Sequence, residues 1–486
     1  MITHFEKKIV VLVAVFGAIL LWLSIYGGRI GCYSNVSSDN YQNISYAFYM
    51  LVDKVFTAEK GGNSVTPNEY HPPVAMTPSG WREPGYPAFI AAVFWVDGLF
   101  SGDSRELIFH DSVLNTAHSS IKSLQMAQIF LLFLVGLVGF GLSFQILQNL
   151  FFSYIVFVAT IFNPCLVNSA LSVGWVETLH ALLLGSLSYA FIRLYKELDW
   201  GWLSISGFLL SAIILVSSLW LYFIPVSVLL VFGYGFQKFG IKKSIQISLF
   251  FLSLATLLPT MWIIRNYLYF DRPAISFKGG LVLDVRAEMS KMSAAEYAKS
   301  FFYWSGSSFL KDITILKGNY ERLETHGPKS FFRLALDRRL KLNSQFGRSS
   351  VADKIQTSEA IRKIAKNKIM HLALFVPISL RLFSGWFPFG ILLFVSSVVL
   401  IVIFLKDKEH CKIAAMLPML YYFSFLVVFS HGLPRYGVVL YPMLVCFGFS
   451  TLRLLCNSGK WLLAPFFRFV RRQSWQIFLL VQVVFA

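Results

Sequence analysis

Runs of about 20 apolar residues recur along this chain, the length at which an α-helix crosses a ~30 Å hydrocarbon core. They fall at 9–27, 124–147, 150–168, 176–195, 203–217, 220–235, 245–264, 387–405, 413–430 and 437–455. Hydrophobic residues make up 56% of the 486 positions, more apolar surface than a soluble protein of this size could hide. Forty-eight phenylalanines suit lipid-facing helix surfaces and interfacial belts. The stretch 203–235 is too long for one crossing, since its 33 residues would run ~50 Å as a helix. A split near Ser217-Ser218 makes two short crossings. The expected fold is all-α and polytopic, a bundle of about 10–12 transmembrane helices. Lys7 and Lys8 precede the first run, and no small-x-small cleavage site follows it. It therefore reads as an uncleaved membrane helix rather than a signal peptide.

The short loops set an orientation. One group holds Lys7, Lys8, Arg193, Lys196, Lys238, Lys242, Lys243, Lys406, Lys408, Lys412, Arg453 and Lys460. The opposite short loops, 169–175, 217–219 and 431–436, hold only Arg435. Basic short loops stay in the cytoplasm, which predicts a multi-pass inner (plasma) membrane protein with a cytoplasmic N-terminus. The same rule accounts for the net charge of +18: basic loops beside anionic headgroups, with no nucleic acid as partner. The five cysteines, 32, 165, 411, 446 and 456, lack CxxC spacing, which argues against a disulfide framework or a zinc site.

Two long segments then fall outside the cytoplasm. The first is 28–123, with an apolar piece at 86–100 too short to cross comfortably. The second is 265–386, whose middle, 284–370, is the most polar part of the chain. Helices are expected at 290–300 and 352–370, and Ile369 to Trp386, broken by Pro377, is expected at the interface. The tail 461–486 is interrupted by Arg468, Arg471 and Arg472. Three regions follow: a membrane module at 1–264 that includes the loop 28–123, an extracytoplasmic segment at 265–386, and C-terminal membrane helices with the tail at 387–486.

Four polar clusters stand near the outer ends of the runs. Ser38-Asp39-Asn40-Tyr41 offers a carboxylate that could act as a general base, although on residue type alone Asp39 reads first as a helix cap. Trp81-Arg82-Glu83-Pro84-Gly85-Tyr86-Pro87 fixes a turn, and its Arg82 presents a planar fork suited to phosphate. Glu177 lies at the mouth of a membrane helix, where a carboxylate is expensive unless paired or hydrated. His180, three residues on, shares its face; two such residues are a weak metal signal. The last cluster is cationic: Arg265-Asn266 at the end of one run, and His431 with Arg435-Tyr436 in a short loop. Snorkelling to headgroups explains many such arginines, but Arg435 breaks the charge trend of its loop.

Several motifs appear together in order: SDNYQNISYAF at 38–48, REPGYPAFIAAVF at 82–94, MAQIFLLFLVG at 126–136 and NPCLVNSALSVGWVETLHALLL at 163–184. LPTMWIIRNYLYFDRPAIS at 258–276 and RYGVVLYPML at 435–444 continue the series. In this order the chain resembles the GT-C glycosyltransferases of the protein-O-mannosyltransferase and lipid A aminoarabinose-transferase type. One departure is Thr260-Met261, which separates the proline from Trp262 in what resembles the family's PW-x-x-RN segment. The resemblance implies a GT-C-like bundle with a long first extracytoplasmic loop and a smaller, mostly helical extracytoplasmic segment. It implies Asp39 as base, Glu177 as supporting acid, and Arg82, Arg265 and Arg435 as contacts to the donor phosphate. Tyr41, Glu83, Tyr86, His180, Asn266, His431 and Tyr436 would line the pocket. The donor would be a polyprenyl-phosphate-linked sugar, and the acceptor an extracytoplasmic glycan, lipid or protein.

No cofactor is required in this reading. The pyrophosphate-using branch carries a DxD pattern and a WWDYG-like stretch, and this chain has neither, so a divalent metal is unsupported. Gly385-Trp386-Phe387-Pro388-Phe389-Gly390 is no substitute. Asn-x-Ser triplets at Asn35 and Asn43 allow a eukaryotic secretory route, against a bacterial overall style. A transporter or flippase is the main rival, but transporters place functional polar groups near the bilayer midplane, often within repeats. A polysaccharide polymerase or ligase acting on lipid-linked glycans is the other.

Overall fold

The computed structural model describes residues 38–52, 56, 81–101, 119–172, 175–305, 321–325, 327–346, 350–386 and 388–457. The expected first span at 9–27 and the tail at 461–486 lie outside the described residues. Among those described, all regular structure is helical. Six helical stretches among the described residues are long and apolar enough to cross a membrane: 122–147, 218–239, 241–270, 368–386, 389–406 and 410–429.

The chain opens with α1 (Ser38–Val52), which packs on α2 (Gly85–Ser101). Next comes α3 (Ser119–Leu147), then α4 (Leu150–Ile161) and α5 (Pro164–Leu171). The run expected as one span at 150–168 is thus two helices, bent by 48°. Asn163-Pro164 is the reason. The proline cannot donate into a continuing helix, and the Asn163 side chain accepts from the Cys165 and Leu166 amides, starting α5 afresh. The expected run at 176–195 is α6 (Glu177–Glu197), a helix ~30 Å long.

The split of 203–235 falls at Ser217. There α7 (Trp200–Val216), capped by Asp199, gives way to a 3-10 turn at Ser218–Phe223 and then α8 (Ile224–Phe239). Gly240, at φ +79°, reverses the chain into α9 (Ile241–Phe270). This 30-residue helix continues past Pro259 and overshoots the expected 245–264 at both ends. A polar cap follows: α10 (Gly279–Met289), α11 (Ala294–Tyr303), α12 (Phe331–Phe346) and α13 (Ser350–Lys366). The helix expected over 290–300 instead begins at Ala294, because Ser293 and Glu296 form a capping box. The helix expected over 352–370 breaks at Asn367, before α14 (Lys368–Ala373) and α15 (Phe375–Phe383).

The segment α14–α15 has the length of a crossing. Its neighbours include α10, α11 and α13, which are helices of the cap. Last come α16 (Phe389–Lys406), α17 (His410–Phe429), α18 (Pro434–Val438) and α19 (Tyr441–Asn457).

Helix termini gather at two ends of the bundle. At one end Lys196 donates to Gln145 Oε1 at 2.8 Å, Lys238 to the Glu197 carbonyl at 2.8 Å, and Arg453 to the Leu147 carbonyl. These bonds join the last turns of α3, α6 and α8 and the C-terminal half of α19. The first turn of α6 and the last turns of α7 and α9 lie at the opposite end. Between the ends the core is apolar, with Leu184, Leu187, Leu210, Ile213, Val231 and Phe251 buried. The outer faces of α9 and α16 are apolar as well, with Leu249, Leu268, Leu392 and Val402 exposed. Such faces fit a lipid solvent.

Candidate functional site

Glu177 opens α6 without a side-chain-capped residue before it, and is buried. Its Oε1 lies 4.0 Å from Arg435 Nε. Arg435 reaches it from α18, a five-residue helix started by Pro434 that touches both α5 and α6. Gly437 makes this approach feasible, since a Cβ there would stand 1.9 Å from the Leu382 carbonyl oxygen of α15. Arg435 also lies over the Tyr436 ring, 5.4 Å from its centroid.

One turn into α6, His180 is buried. Its Nε2 accepts from Trp220 Nε1 at 2.7 Å, which leaves Nδ1 carrying the proton of the neutral ring. Tyr422 packs edge-on to His180 at 4.9 Å and stacks on Trp220 at 5.7 Å. Tyr422 also feels the charges of Glu177 and Arg435. One aromatic wall therefore connects the carboxylate, the guanidinium and the imidazole. Trp220 and Tyr422 carry no polar signature in the sequence, and periodicity alone reads them as core.

Glu83 is buried in the turn before α2. Its carboxylate pairs with Lys278 Nζ at 2.5 Å and accepts from the hydroxyls of Ser218 at 2.9 Å and Ser276 at 3.1 Å. Burial pushes this carboxyl up, but the Lys278 ammonium and the hydrogen bonds outweigh it and hold the group below its ordinary value. Glu83 also acts electrostatically on His180, which places the two clusters side by side. Sequence reasoning missed Lys278, Ser218 and Ser276. Their partner lies 135 to 195 positions away, and nothing local marks them.

Arg265 ends α9 inside an aromatic cage. Trp262, Tyr269, Phe270 and Phe56 stand 4.8, 5.2, 5.4 and 5.7 Å from its guanidinium carbon. Its Nη1 donates to Asn266 Oδ1 at 2.6 Å. Asn266 is buried and donates to the Ala274 carbonyl at 2.7 Å, so its amide holds the turn after α9. Phe56 stacks on Tyr46 of α1 at 4.4 Å, which ties the cage to that helix. Arg82 donates from Nε and Nη2 to Gln42 Oε1 at 3.0 and 2.9 Å. Tyr86 is buried and accepts from Gln128 Nε2 at 3.0 Å.

Asp39 and Tyr41 belong by backbone to the first turn of α1, and their side chains lie outside the described residues. Among the expected pocket residues, Glu177, His180, Arg435 and Tyr436 come together, with Glu83 adjacent. Arg265 and Asn266 form a second group, and Arg82 sits on α1. His431 meets the first group through Tyr436. Its ring packs at 5.7 Å from Tyr436 and 6.2 Å from Phe332, and its carbonyl accepts from Arg381 at 3.1 Å. Among the described residues no group of three His, Cys, Asp or Glu could hold a metal.

The arrangement offers carboxylates and cations at one end of an apolar bundle, screened from water by aromatic rings. Such a site can bind an anion and hold a proton-accepting group beside it. No family model matches this chain, and no curated protein or solved structure shows significant similarity to it.

Proposed function

We propose that this chain is a membrane glycosyltransferase of the GT-C type. It moves a sugar from a polyprenyl-phosphate carrier to an extracytoplasmic glycan, lipid or protein. The reading rests on the ordered motifs quoted above and on one observation: the buried Glu177 stands 4.0 Å from Arg435, at the bundle end that also holds Glu83, Lys278 and Arg265. The scarcity of short-loop cations at that end supports its facing away from the cytoplasm of an inner (plasma) membrane. A lipid-borne sugar phosphate presents its glycosyl bond at that depth while the isoprenoid tail stays in the bilayer.

In the proposed step a carboxylate, Asp39, takes the proton of an acceptor hydroxyl or amine. The acceptor atom forms a bond to the anomeric carbon from the face opposite the phosphate. The bond from that carbon to the phosphate oxygen breaks, and its electron pair leaves with the phosphate. Negative charge grows on the departing group, and cations placed for it lower the barrier most in a dry site. Arg435 and Arg265 fill that role, with Arg82 nearer α1. Glu177 orients Arg435, and Glu83 orients Lys278. The step inverts the anomeric centre and calls for no metal.

Incubating the purified protein with a polyprenyl-phosphate sugar, and separately with its pyrophosphate counterpart, tests the reading. Consumption of the first alone is expected, and consumption of the second alone overturns it in favour of a polymerase or ligase. Asp39→Asn is expected to abolish transfer while donor binding persists; near-normal turnover in that variant rules out the base assignment. Arg435→Ala is expected to weaken donor binding and slow phosphate departure together, read as a rise in KM with a fall in kcat. Mass spectrometry of cell-envelope glycans from a deletion strain would identify the sugar and its acceptor.

A further inference from the structure

Away from the site just described, Arg286 is a buried cation that pairs with no acid among the described residues. Arg286 lies on α10 with 1% of its surface exposed. Its Nη2 donates to the His371 carbonyl of α14 at 2.7 Å. Among the described residues, neither Nε nor Nη1 has a hydrogen-bond partner, and neither has His371 Nδ1. Burial pushes the Arg286 guanidinium down to about 9, and no acid offsets that loss. A buried, unpaired charge is among the costliest features a fold can carry.

The acids on the same helix cannot serve. Asp284 and Glu288 are two residues to either side of Arg286, and positions two apart point about 200° away on a helix. Both are already committed. Asp284 takes Arg338 at 2.6 Å and Lys363 at 2.6 Å, and Glu288 takes Arg338 at 3.0 Å, Lys363 at 2.8 Å and Lys291 at 3.0 Å. Every acid of α10 is thus satisfied on one face, while the guanidinium on the other has only a carbonyl.

We propose that Arg286 and His371 form a binding site for a phosphate group, wedged between α10 and α14. Unpartnered N–H groups of the guanidinium and the Nδ1 edge of the imidazole supply donors from two helices. A guanidinium forms short charge-assisted bonds to phosphate oxygens, and the imidazole adds a donor from a second direction. The surroundings indicate how the phosphate arrives. On α14 and α15 the neighbours of His371 in sequence, Ile369, Leu372 and Val376, are 80, 70 and 51% exposed. This apolar outer face fits lying among lipid chains, so a phosphate carried on a lipid would reach His371 from the bilayer. The unpartnered atoms are closed to solvent, and binding therefore requires α14 to shift from α10. Breaks at Asn367 and Leu374 bound this six-residue helix and permit such a shift. The site does not depend on the glycosyl-transfer reading.

Native mass spectrometry of the full-length protein, released from nanodiscs, counts bound phosphate groups per chain. Dodecyl phosphate and inorganic phosphate are the two probes, each titrated against chloride at matched ionic strength. Arg286→Met is expected to hold one dodecyl phosphate fewer than the wild type, with its melting temperature in chloride equal or higher, because an unpaired buried charge has been removed. Arg286→Lys keeps charge without the planar fork and is expected to bind that phosphate about tenfold more weakly. It decides the matter if the methionine variant fails to fold. Loss of the dodecyl phosphate alone assigns the site to a lipid, whereas parallel loss of inorganic phosphate assigns it to phosphate on any carrier. An unchanged count and affinity for both probes in both variants overturns the proposal.

Discussion

The Glu83–Lys278 pair shows how a single contact governs both stability and charge at the proposed site. Glu83 is 7% exposed and Lys278 about a third exposed, so removing the cation leaves a buried carboxylate partly uncompensated. Lys278→Met is expected to cost about 2–4 kcal/mol, below the figure for a fully buried pair because Lys278 still reaches water. Glu83→Gln should cost less, since an amide oxygen can keep the Ser218 and Ser276 hydroxyls as donors. Thermal unfolding in nanodiscs measures both. The pH dependence has a definite sign. Because the folded Glu83 carboxyl sits below its ordinary value, its contribution is present above the unfolded value of about 4.3 and is lost as pH falls through the folded one. Lys278→Met should abolish that acid-side loss. The sequence marks Arg82-Glu83 as polar at a turn, but Lys278 looks there like any loop lysine. A contact between residues 195 positions apart is decided by how α2 docks on α7 and where the chain returns after α9, and no local rule encodes that.

Elements show where helix chemistry suffices and where it does not. The breaks at Asn163-Pro164 and Ser217 follow from caps and breakers readable in the chain. The passage of α9 through Pro259 does not, because the missing hydrogen bond is tolerated only where neighbouring helices hold the backbone. There Gly207 lets α7 come close, with a Cβ at that position only 2.8 Å from Leu254 Cβ. The placement of α18 depends in the same way on Gly437. Gly437→Ala is expected to cost about 1–3 kcal/mol through overpacking against α15, seen as a lowered melting temperature. It should also displace Arg435 from Glu177. Transfer by this variant should therefore fall further than stability accounts for when assayed well below its melting point.

At the scale of the whole molecule, the orientation of the bundle decides which compartment the proposed site serves. The basic end, with Lys196, Lys238 and Arg453 bridging helix termini, is expected inside. A cysteine-free variant with a single cysteine at Lys242 or at Lys291 checks it. Membrane-impermeant maleimide on intact cells should label Lys291→Cys and spare Lys242→Cys, and the reverse pattern would turn the site inward. The apolar runs by themselves determined that the chain is helical and where most helices lie, because backbone groups in an apolar medium must bond within their own segment. The same runs could not say that Trp220 and Tyr422 would meet His180, or that Arg286 would be buried without an acid. Those outcomes belong to packing between segments distant in sequence. Burial and side-chain reach decide them only once all the helices are in place.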